Sequence, residues 1–195
     1  MTKRIAIIQG HPDAQNRHYG HALAKAYFQS ATEAGHELRV IEIARLDFPL
    51  LRSKDEFDHG TPPDVIRQAQ ETIRWAEHLV IFYPLWLGSM PALLKAFLEQ
   101  TFRPGFALPN LKTESPWKKL LKGKSARIVV TMGMPAFFYR WYFRAHSLKS
   151  LERNILGFCG IGPIKESLIG MVEAENGAER DKWLHKMRVL GSKGQ

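Results

Sequence analysis

Short runs of apolar residues alternate along this chain with longer segments in which apolar residues recur every three or four positions. Nearly unbroken runs such as Ile5-Ala6-Ile7-Ile8 are typical of parallel strands that are covered on both faces. Five such runs predict β-strands, and they lie within segments 3–9, 37–43, 78–83, 125–132 and 161–170.

The segments between these runs carry the periodicity of amphipathic helices. They predict five helices. Three cover 18–34, 62–77 and 174–190, one begins at Pro91, and one follows the fourth strand and ends near Leu156. Gly35 and Gly157 stand where a glycine commonly ends a helix, and 44–63 is interpreted as a long loop. Alternating strands and helices predict an α/β three-layer sandwich, with a five-stranded parallel sheet in order 2-1-3-4-5. No linker or repeat divides the chain, so we expect one domain over residues 1–195.

The segment after the third predicted strand is the most informative part of the sequence. The strand breaks at Pro84, a turn carries Trp86, Gly88 and Ser89, and Pro91 stands where a helix tolerates proline. A strand, a tight loop and a helix place backbone N–H groups at the carboxyl edge of a parallel sheet, where planar cofactors bind. The alternative is an ordinary turn whose Trp86 fills a gap in the core.

The loop after the first strand, Gly10–Arg17, leads into a helix N-terminus, which attracts anions. His11, Asn16, Arg17 and His18 add donors, so a phosphate is the expected ligand. The loop lacks the Gly-Lys-Ser/Thr element and G-x-G-x-x-G, which disfavours triphosphate hydrolysis and a Rossmann NAD site. Asn16 alternatively only caps the helix. His18 and His21 have the spacing of a metal-binding pair, but no third ligand accompanies them, so we expect surface histidines and no metal.

Composition narrows the functional classes further. The net charge is +9 and the pI is near 9.8, but no helix-turn-helix, zinc finger or arginine-rich tail points to nucleic acid. A basic surface also attracts phosphorylated small molecules. The only cysteine, Cys159, lies among apolar residues and is interpreted as a buried structural thiol. No apolar run is long enough to span a membrane and no signal peptide is evident, so we expect a cytoplasmic protein without membrane insertion.

Four motifs together resemble the NAD(P)H:quinone oxidoreductase family of flavodoxin-like flavoproteins. This family includes bacterial NAD(P)H dehydrogenase (quinone) and modulator-of-drug-activity relatives. The resemblance covers nearly the whole chain, although the family usually shows other residues where this chain has Asn16-Arg17-His18. The motifs are Pro84-Leu85-Trp86-x-Gly88-Ser89-Met90-Pro91-Ala92-x-Leu94-Lys95, Phe102-x-x-Gly105-Phe106-Ala107, Gly10-His11-Pro12 and Thr131-Met132-Gly133-Met134-Pro135.

The resemblance implies a flavodoxin-like fold and a role for each matching position. The flavin phosphate would contact His11, Asn16, Arg17 and His18. The isoalloxazine ring would be wrapped by Pro84, Leu85, Trp86 and Leu87, and closed on its other side by Thr131, Gly133 and Tyr139. Tyr139 and His146 would assist charge redistribution on the reduced ring. Glu99 matches a position used by FAD enzymes, although it is also spaced to pair with Lys95.

The function implied is hydride transfer from NAD(P)H, through one FMN or FAD per chain, to a quinone or similar acceptor, in a homodimer. The aromatic segment 137–146 is interpreted as a hydrophobic lid or a dimer contact, and Arg140 and Arg144 as contacts to a dinucleotide phosphate or to a partner chain. The alternative function is that of a redox-sensing regulatory subunit of a transport protein. A flavodoxin-type electron carrier is disfavoured because its surface is usually acidic.

Overall fold

A computed structural model describes residues 2–15, 18–109, 115, 118–174 and 177–195. These residues form a five-stranded parallel sheet in the order β2-β1-β3-β4-β5, which confirms the predicted order. The strands are β1 (Arg4–Gln9), β2 (Glu37–Glu42), β3 (His78–Pro84), β4 (Ser125–Thr131) and β5 (Ile164–Ile169).

Helices cover both faces of the sheet. They are α1 (Tyr19–Glu33), α2 (Lys54–His59), α3 (Asp64–Trp75), α4 (Ala92–Thr101), α5 (Ala136–Trp141), α6 (His146–Lys149), α7 (Gly157–Cys159) and α8 (Gly177–Ser192). A π-helical segment, Ser150–Leu156, joins α6 to α7, and a 3₁₀ turn covers Ile43–Arg45. Among the described residues, no helix is both long and apolar enough to cross a membrane.

Two apolar cores hold the layers together, one on each face of the sheet. Successive side chains of a strand point to opposite faces of the sheet, so Ile8 packs into one core and Ile7 into the other. Tyr27 of α1 and Met187 of α8 lie in the same core as Ile7. At Gly191 a Cβ would overlap the carbonyl oxygen of Tyr27, so glycine lets α8 lie directly against α1.

The structure corrects two sequence-based expectations. Gly157 was predicted to end a helix, and this is wrong, because the chain stays helical through α7 and turns at Gly160, whose φ is +101°. Gly157 is needed for space instead, since a Cβ there would lie 2.8 Å from the carbonyl oxygen of Glu152. The predicted loop 44–63 contains α2, whose N-terminus is capped by the Ser53 hydroxyl.

The prediction for Cys159 is confirmed. The thiol is free and buried, and burial raises its pKa to about 12. A thiol of this kind is not ionised at neutral pH, so it has the character of a packing residue rather than a nucleophile.

Candidate functional site

The loops after β1, β3 and β4 lie side by side at the carboxyl edge of the sheet. Strand pairing brings this about, because Gln9 pairs with Phe82 and Pro84 pairs with Thr131. The N–H of Leu85 donates a 2.7 Å hydrogen bond to the Thr131 carbonyl, which joins two of the loops. The loops that carry the motifs after β1, β3 and β4 are therefore neighbours in space.

Gly10 allows the first loop to lie close to β3. Its N–H donates a 2.6 Å hydrogen bond to the Phe82 carbonyl. A Cβ at this position would lie 2.8 Å from that same oxygen and 2.8 Å from Cδ2 of Leu94. The rest of the loop is held by side chains at the end of β1, since Oε1 of Gln9 accepts the N–H of His11 at 3.2 Å.

A cluster of imidazoles forms the floor of this loop. The ring of His11 stacks on that of His18, with centroids 4.0 Å apart, and lies 5.0 Å from His21 and 5.8 Å from Trp86. Asp13 connects the cluster, because its carboxylate bonds Nε2 of His18 at 2.7 Å. Its backbone N–H donates to Nδ1 of His11 at 3.1 Å. Since Nδ1 accepts this bond, the ring proton of neutral His11 is carried by Nε2.

Electrostatics keep most of this cluster uncharged. Burial, and then the neighbouring imidazoles of His18 and His21, lower the pKa of His11 to about 4. Burial also lowers the pKa of His21, while the hydrogen bond from His18 lowers the pKa of Asp13. At neutral pH, His11 is therefore a neutral hydrogen-bond donor. Asn16 and Arg17 lie outside the described residues, so their predicted contacts to a phosphate stay predictions.

The loop after β3 is a tight two-residue turn. Trp86 and Ser89 exchange backbone hydrogen bonds of 2.8 and 2.9 Å, and Leu87 and Gly88 between them both have left-handed conformations, with φ of +47° and +75°. A leucine rarely adopts such a conformation, and backbone strain of this kind concentrates at ligand sites. Among the described residues, the N–H groups of Leu87 and Gly88 make no backbone hydrogen bond, so they can donate to a ligand.

Trp86 does not fill a core gap. It is 50% exposed, and Leu87 beside it is fully exposed. The alternative of an ordinary turn with a packing tryptophan is therefore wrong. Pro84 is the last residue of β3, so the loop that it opens begins at the edge of the sheet.

The third loop combines a buried residue with open space. Thr131 ends β4 and is buried, whereas a Cβ built at Gly133 would have no heavy atom within 4 Å. The predicted site residues of this loop thus border a part of the edge that a ligand can enter.

Tyr139 occupies a different environment from the one its predicted role suggests. Its side chain on α5 is only 1% exposed, and its hydroxyl lies 2.7 Å from Oγ of Ser147 and accepts the N–H of Leu148 at 3.2 Å. The turn between α5 and α6 is strained, since Arg144 and Ala145 have φ of +53° and +49°. Tyr139 therefore fastens this turn to the start of α6. His146 is the exposed first residue of that helix, and both predicted catalytic roles stay predictions.

The exposed faces of α5 and the following turn form an aromatic surface. The rings of Phe138 and Tyr142 stack with centroids 4.9 Å apart, and Phe143 meets both edge-on. Clusters of this kind mark interaction surfaces. Its members are Phe137, Phe138, Trp141, Tyr142 and Phe143.

Cavities flank the site on two sides. One, which we call the tryptophan cavity, has a volume of about 500 Å³ and lies between the Trp86 turn and the helix that begins at His146. Its walls are mostly apolar, with hydroxyls from Ser89, Ser147 and Ser150. The other, of about 590 Å³, lies between α1 and β2 and is bordered by His18 and His21.

A flavin fits the groups present at this edge. Among the described residues, the donors include Nε2 of His11 and the N–H groups of Leu87 and Gly88, which make no backbone hydrogen bond there. Such donors suit the carbonyl oxygens and nitrogens of a flavin ring, and the half-exposed indole of Trp86 offers a flat apolar contact.

Two glycine substitutions distinguish effects on stability from effects on flavin binding at this edge of the sheet. Gly10→Ala is expected to lower the free energy of unfolding by roughly 1–3 kcal/mol, because the added Cβ overlaps β3. Gly133→Ala is the matched control, since its Cβ meets no atom. We expect unchanged stability in urea denaturation but weaker flavin binding for Gly133→Ala. Equal stability losses in both variants would contradict this assignment.

Comparison with known proteins places the fold and the site in context. Residues 3–189 match the model of the flavodoxin-like fold family. The chain belongs to this family. The predicted flavodoxin-like fold class is thereby confirmed.

Two curated relatives of this family member carry informative names. An uncharacterised NAD(P)H oxidoreductase of Haemophilus influenzae is 29% identical over 168 residues, which are 84% of this chain and 82% of the relative. The glutathione-regulated potassium-efflux system ancillary protein KefG of an Enterobacter species is 27% identical over 143 residues. The match covers 72% of this chain and 64% of KefG.

Solved structures show the same fold. The NAD(P)H:quinone oxidoreductase of Methanothermobacter marburgensis superposes with a TM-score of 0.82 at 21% identity, over 99% of this chain and 97% of that one. An FMN-dependent NADH-azoreductase of Bacillus anthracis, solved in complex with FMN, gives a TM-score of 0.75 at 16% identity, over 97% and 98% of the two chains. Together with the curated relative, these matches confirm the resemblance that the motifs predicted, and both the relative and the Methanothermobacter protein are named as oxidoreductases.

Sequence reasoning missed two groups that the structure brings to the site. Asp13 joins His11 to His18, and its spacing to His18 within one short loop was a usable signal. Ser147 reaches the tryptophan cavity and the Tyr139 hydroxyl at the same time. No sequence pattern indicates the second contact, because it depends on the turn between α5 and α6.

Proposed function

We propose that this family member is a flavin-dependent NAD(P)H dehydrogenase (quinone). The observation that carries the proposal is the convergence of three loops at one sheet edge, with the imidazole cluster beside the exposed Trp86 turn. The names of the oxidoreductase relatives support the same activity.

The proposal gives each loop a part in holding the flavin. The loop of His11 and His18, together with Asn16 and Arg17, holds the phosphate at the start of α1. Pro84, Leu85, Trp86 and Leu87 surround the ring from one side, and Thr131 and Gly133 border it from the other. We propose FMN as the flavin. The azoreductase that was solved with FMN supports this choice. Glu99 stands at the position that FAD enzymes use, but its carboxylate pairs with Lys95, which also favours FMN.

A bound flavin supplies the hydride chemistry, accepting from reduced nicotinamide and passing reducing equivalents to a quinone. The residues of the chain decide access and orientation. The mostly apolar walls of the tryptophan cavity suit the flat ring of a quinone, and the N–H groups of Leu87 and Gly88 would donate to the flavin ring. The roles predicted for Tyr139 and His146 toward the reduced ring are part of the proposal, with the role of Tyr139 indirect because its hydroxyl is bonded to Ser147 and Leu148.

We also propose that the protein forms a homodimer through the aromatic surface. Its five aromatic side chains would otherwise remain in water, although their burial is favourable. Sedimentation velocity of the wild type and of Trp141→Ala measures this, with a shift toward monomer expected in the variant.

Cofactor release tests the proposed function directly. The purified protein is expected to be yellow and to release one FMN per chain, identified by mass spectrometry. NADPH oxidation with menadione as acceptor should then be rapid. A colourless protein that takes up neither FMN nor FAD contradicts the proposal, and release of FAD contradicts only the choice of flavin.

A second function is favoured by the likeness to KefG, which is named as an ancillary protein of a potassium-efflux system. In that role, the protein is a redox-sensing flavoprotein subunit of a transport protein. Flavin binding without NADPH turnover would support this function over the enzyme.

A further inference from the structure

The hydrogen bonds of Tyr139 favour one direction for its bond to Ser147. The phenol oxygen accepts the N–H of Leu148, and Oγ of Ser147 lies 2.7 Å away. The phenol is buried, so its proton needs an acceptor, and an unpaired buried donor is costly. Ser147 is the acceptor within reach. The arrangement that satisfies the buried phenol therefore has Tyr139 donating to Ser147, whose half-buried hydroxyl can then donate elsewhere.

Ser147 is left with a proton of its own to donate. Among the described residues, its hydroxyl has no hydrogen-bond partner except Tyr139. The side chain is half-buried and lines the tryptophan cavity. Because Oγ accepts from the phenol, its O–H is polarised and becomes a better donor. The cavity thus contains a directed hydroxyl donor on a mostly apolar wall.

The other groups of the cavity indicate an uncharged ligand. Trp86, Met90, Pro91 and Ile155 supply apolar surface. Lys95 also borders it, but its ammonium pairs with the carboxylate of Glu99. A flat carbonyl compound without charge matches this combination, because it needs apolar walls and one donor for its oxygen.

We propose that Ser147 donates a hydrogen bond to the carbonyl oxygen of a quinone held in the tryptophan cavity, and that Tyr139 is the positioning residue that orients Ser147. This inference rests on the proposed function and deepens it by assigning the acceptor-binding hydroxyl. Ser147 contacts the acceptor directly, whereas Tyr139 acts through it.

Binding without turnover tests the proposal. Menadione is titrated by calorimetry into the oxidised, FMN-loaded full chain without NADPH. Ser147→Ala is expected to raise the Kd for menadione about tenfold, the usual effect of one hydrogen bond. Ser147→Thr keeps the hydroxyl and should bind within about threefold of the wild type. Ser192→Ala, at the exposed end of α8 and outside the lining of the cavity, is the control and should bind menadione as the wild type does.

A ligand without carbonyls separates hydrogen bonding from shape. 2-Methylnaphthalene has the two-ring skeleton of menadione, and Ser147→Ala should bind it as the wild type does. Tyr139→Phe should also weaken menadione selectively while its FMN content stays at one per chain. Unchanged menadione affinity in Ser147→Ala, or an equal loss for both ligands, overturns the proposal.

Failure of the proposed function gives a different result. If the chain retains no flavin, the proposed function fails, and the same titrations on the flavin-free chain still test Ser147. Absence of menadione binding to the wild type overturns the assignment of the acceptor site.

Discussion

Lowering the pH from 7 to 4 is expected to reduce the free energy of unfolding by about 3 kcal/mol through His78 alone. His78 lies on β3 and is buried, with Nδ1 bonded to the Ser125 hydroxyl at 2.8 Å. Burial, and then the nearby cations Lys3 and Arg127, lower its pKa to about 4.

The sign of this effect follows from the two states. In the unfolded chain the imidazole titrates at its ordinary value of 6.5. Between pH 6.5 and 4 the unfolded state therefore binds a proton that the folded state does not. Stability is full above this window and is lost as the pH falls toward 4. His11, whose pKa is also lowered to about 4, changes stability in the same direction.

Urea denaturation at several pH values measures the effect. His78→Asn removes the imidazole and should make the loss of stability between pH 7 and 4 smaller by about 3 kcal/mol, leaving the part that His11 contributes. His185→Asn, on the exposed surface of α8, is the control and should behave as the wild type. If His78→Asn keeps the wild-type pH dependence, His78 is not the group responsible.

Arg17→Ala is expected to weaken FMN binding by roughly 10- to 150-fold. A charge-assisted hydrogen bond to a phosphate contributes about 1.5–3 kcal/mol, and Arg17 is the only lysine or arginine in the sequence of loop 10–17. His11 is neutral at pH 7 because burial lowers its pKa. We therefore expect His11→Ala to have the smaller effect, about tenfold or less.

Equilibrium dialysis with FMN measures both affinities. Arg188→Ala, on the exposed surface of α8, also removes one positive charge, but outside the predicted phosphate loop. It therefore controls for the general attraction of anions to a basic protein. The unfolding midpoint of Arg17→Ala should stay close to that of the wild type. If Arg17→Ala binds FMN with wild-type affinity, the phosphate is bound by another part of the molecule.

Much of the fold was predictable because its signals are local. Apolar runs such as Ile5–Ile8 give buried parallel strands, and their alternation with helices leaves few topologies. Helix α2 was not predictable in the same way, since six residues are too short to show a helical period. It is held by Arg103, whose buried guanidinium donates to the carbonyls of Glu56 and Phe57 from 46 or more residues away.

The candidate site also has features that local sequence predicted and features that it did not. Residue types and the order of the loops indicated a phosphate loop and an aromatic turn at one edge. The pairing of Asp13 with two imidazoles, and of Tyr139 with Ser147, depends on how loops fold back on themselves. Positive φ at Ala145, a residue that seldom adopts it, is a product of the surrounding packing.

The sequence by itself determined the layer architecture, the strand order and which loops meet. Hydrophobic periodicity is a local property of the sequence, and the right-handedness of crossovers then restricts how strands and helices can be connected. Only the tertiary structure decided which groups carry charge and which hydroxyl donates. Burial sets the protonation of His11 and His78, and among the described residues Ser147 is the side chain that lies within hydrogen-bond distance of the Tyr139 hydroxyl. Both depend on distances between residues that folding brings together, and no local pattern contains those distances.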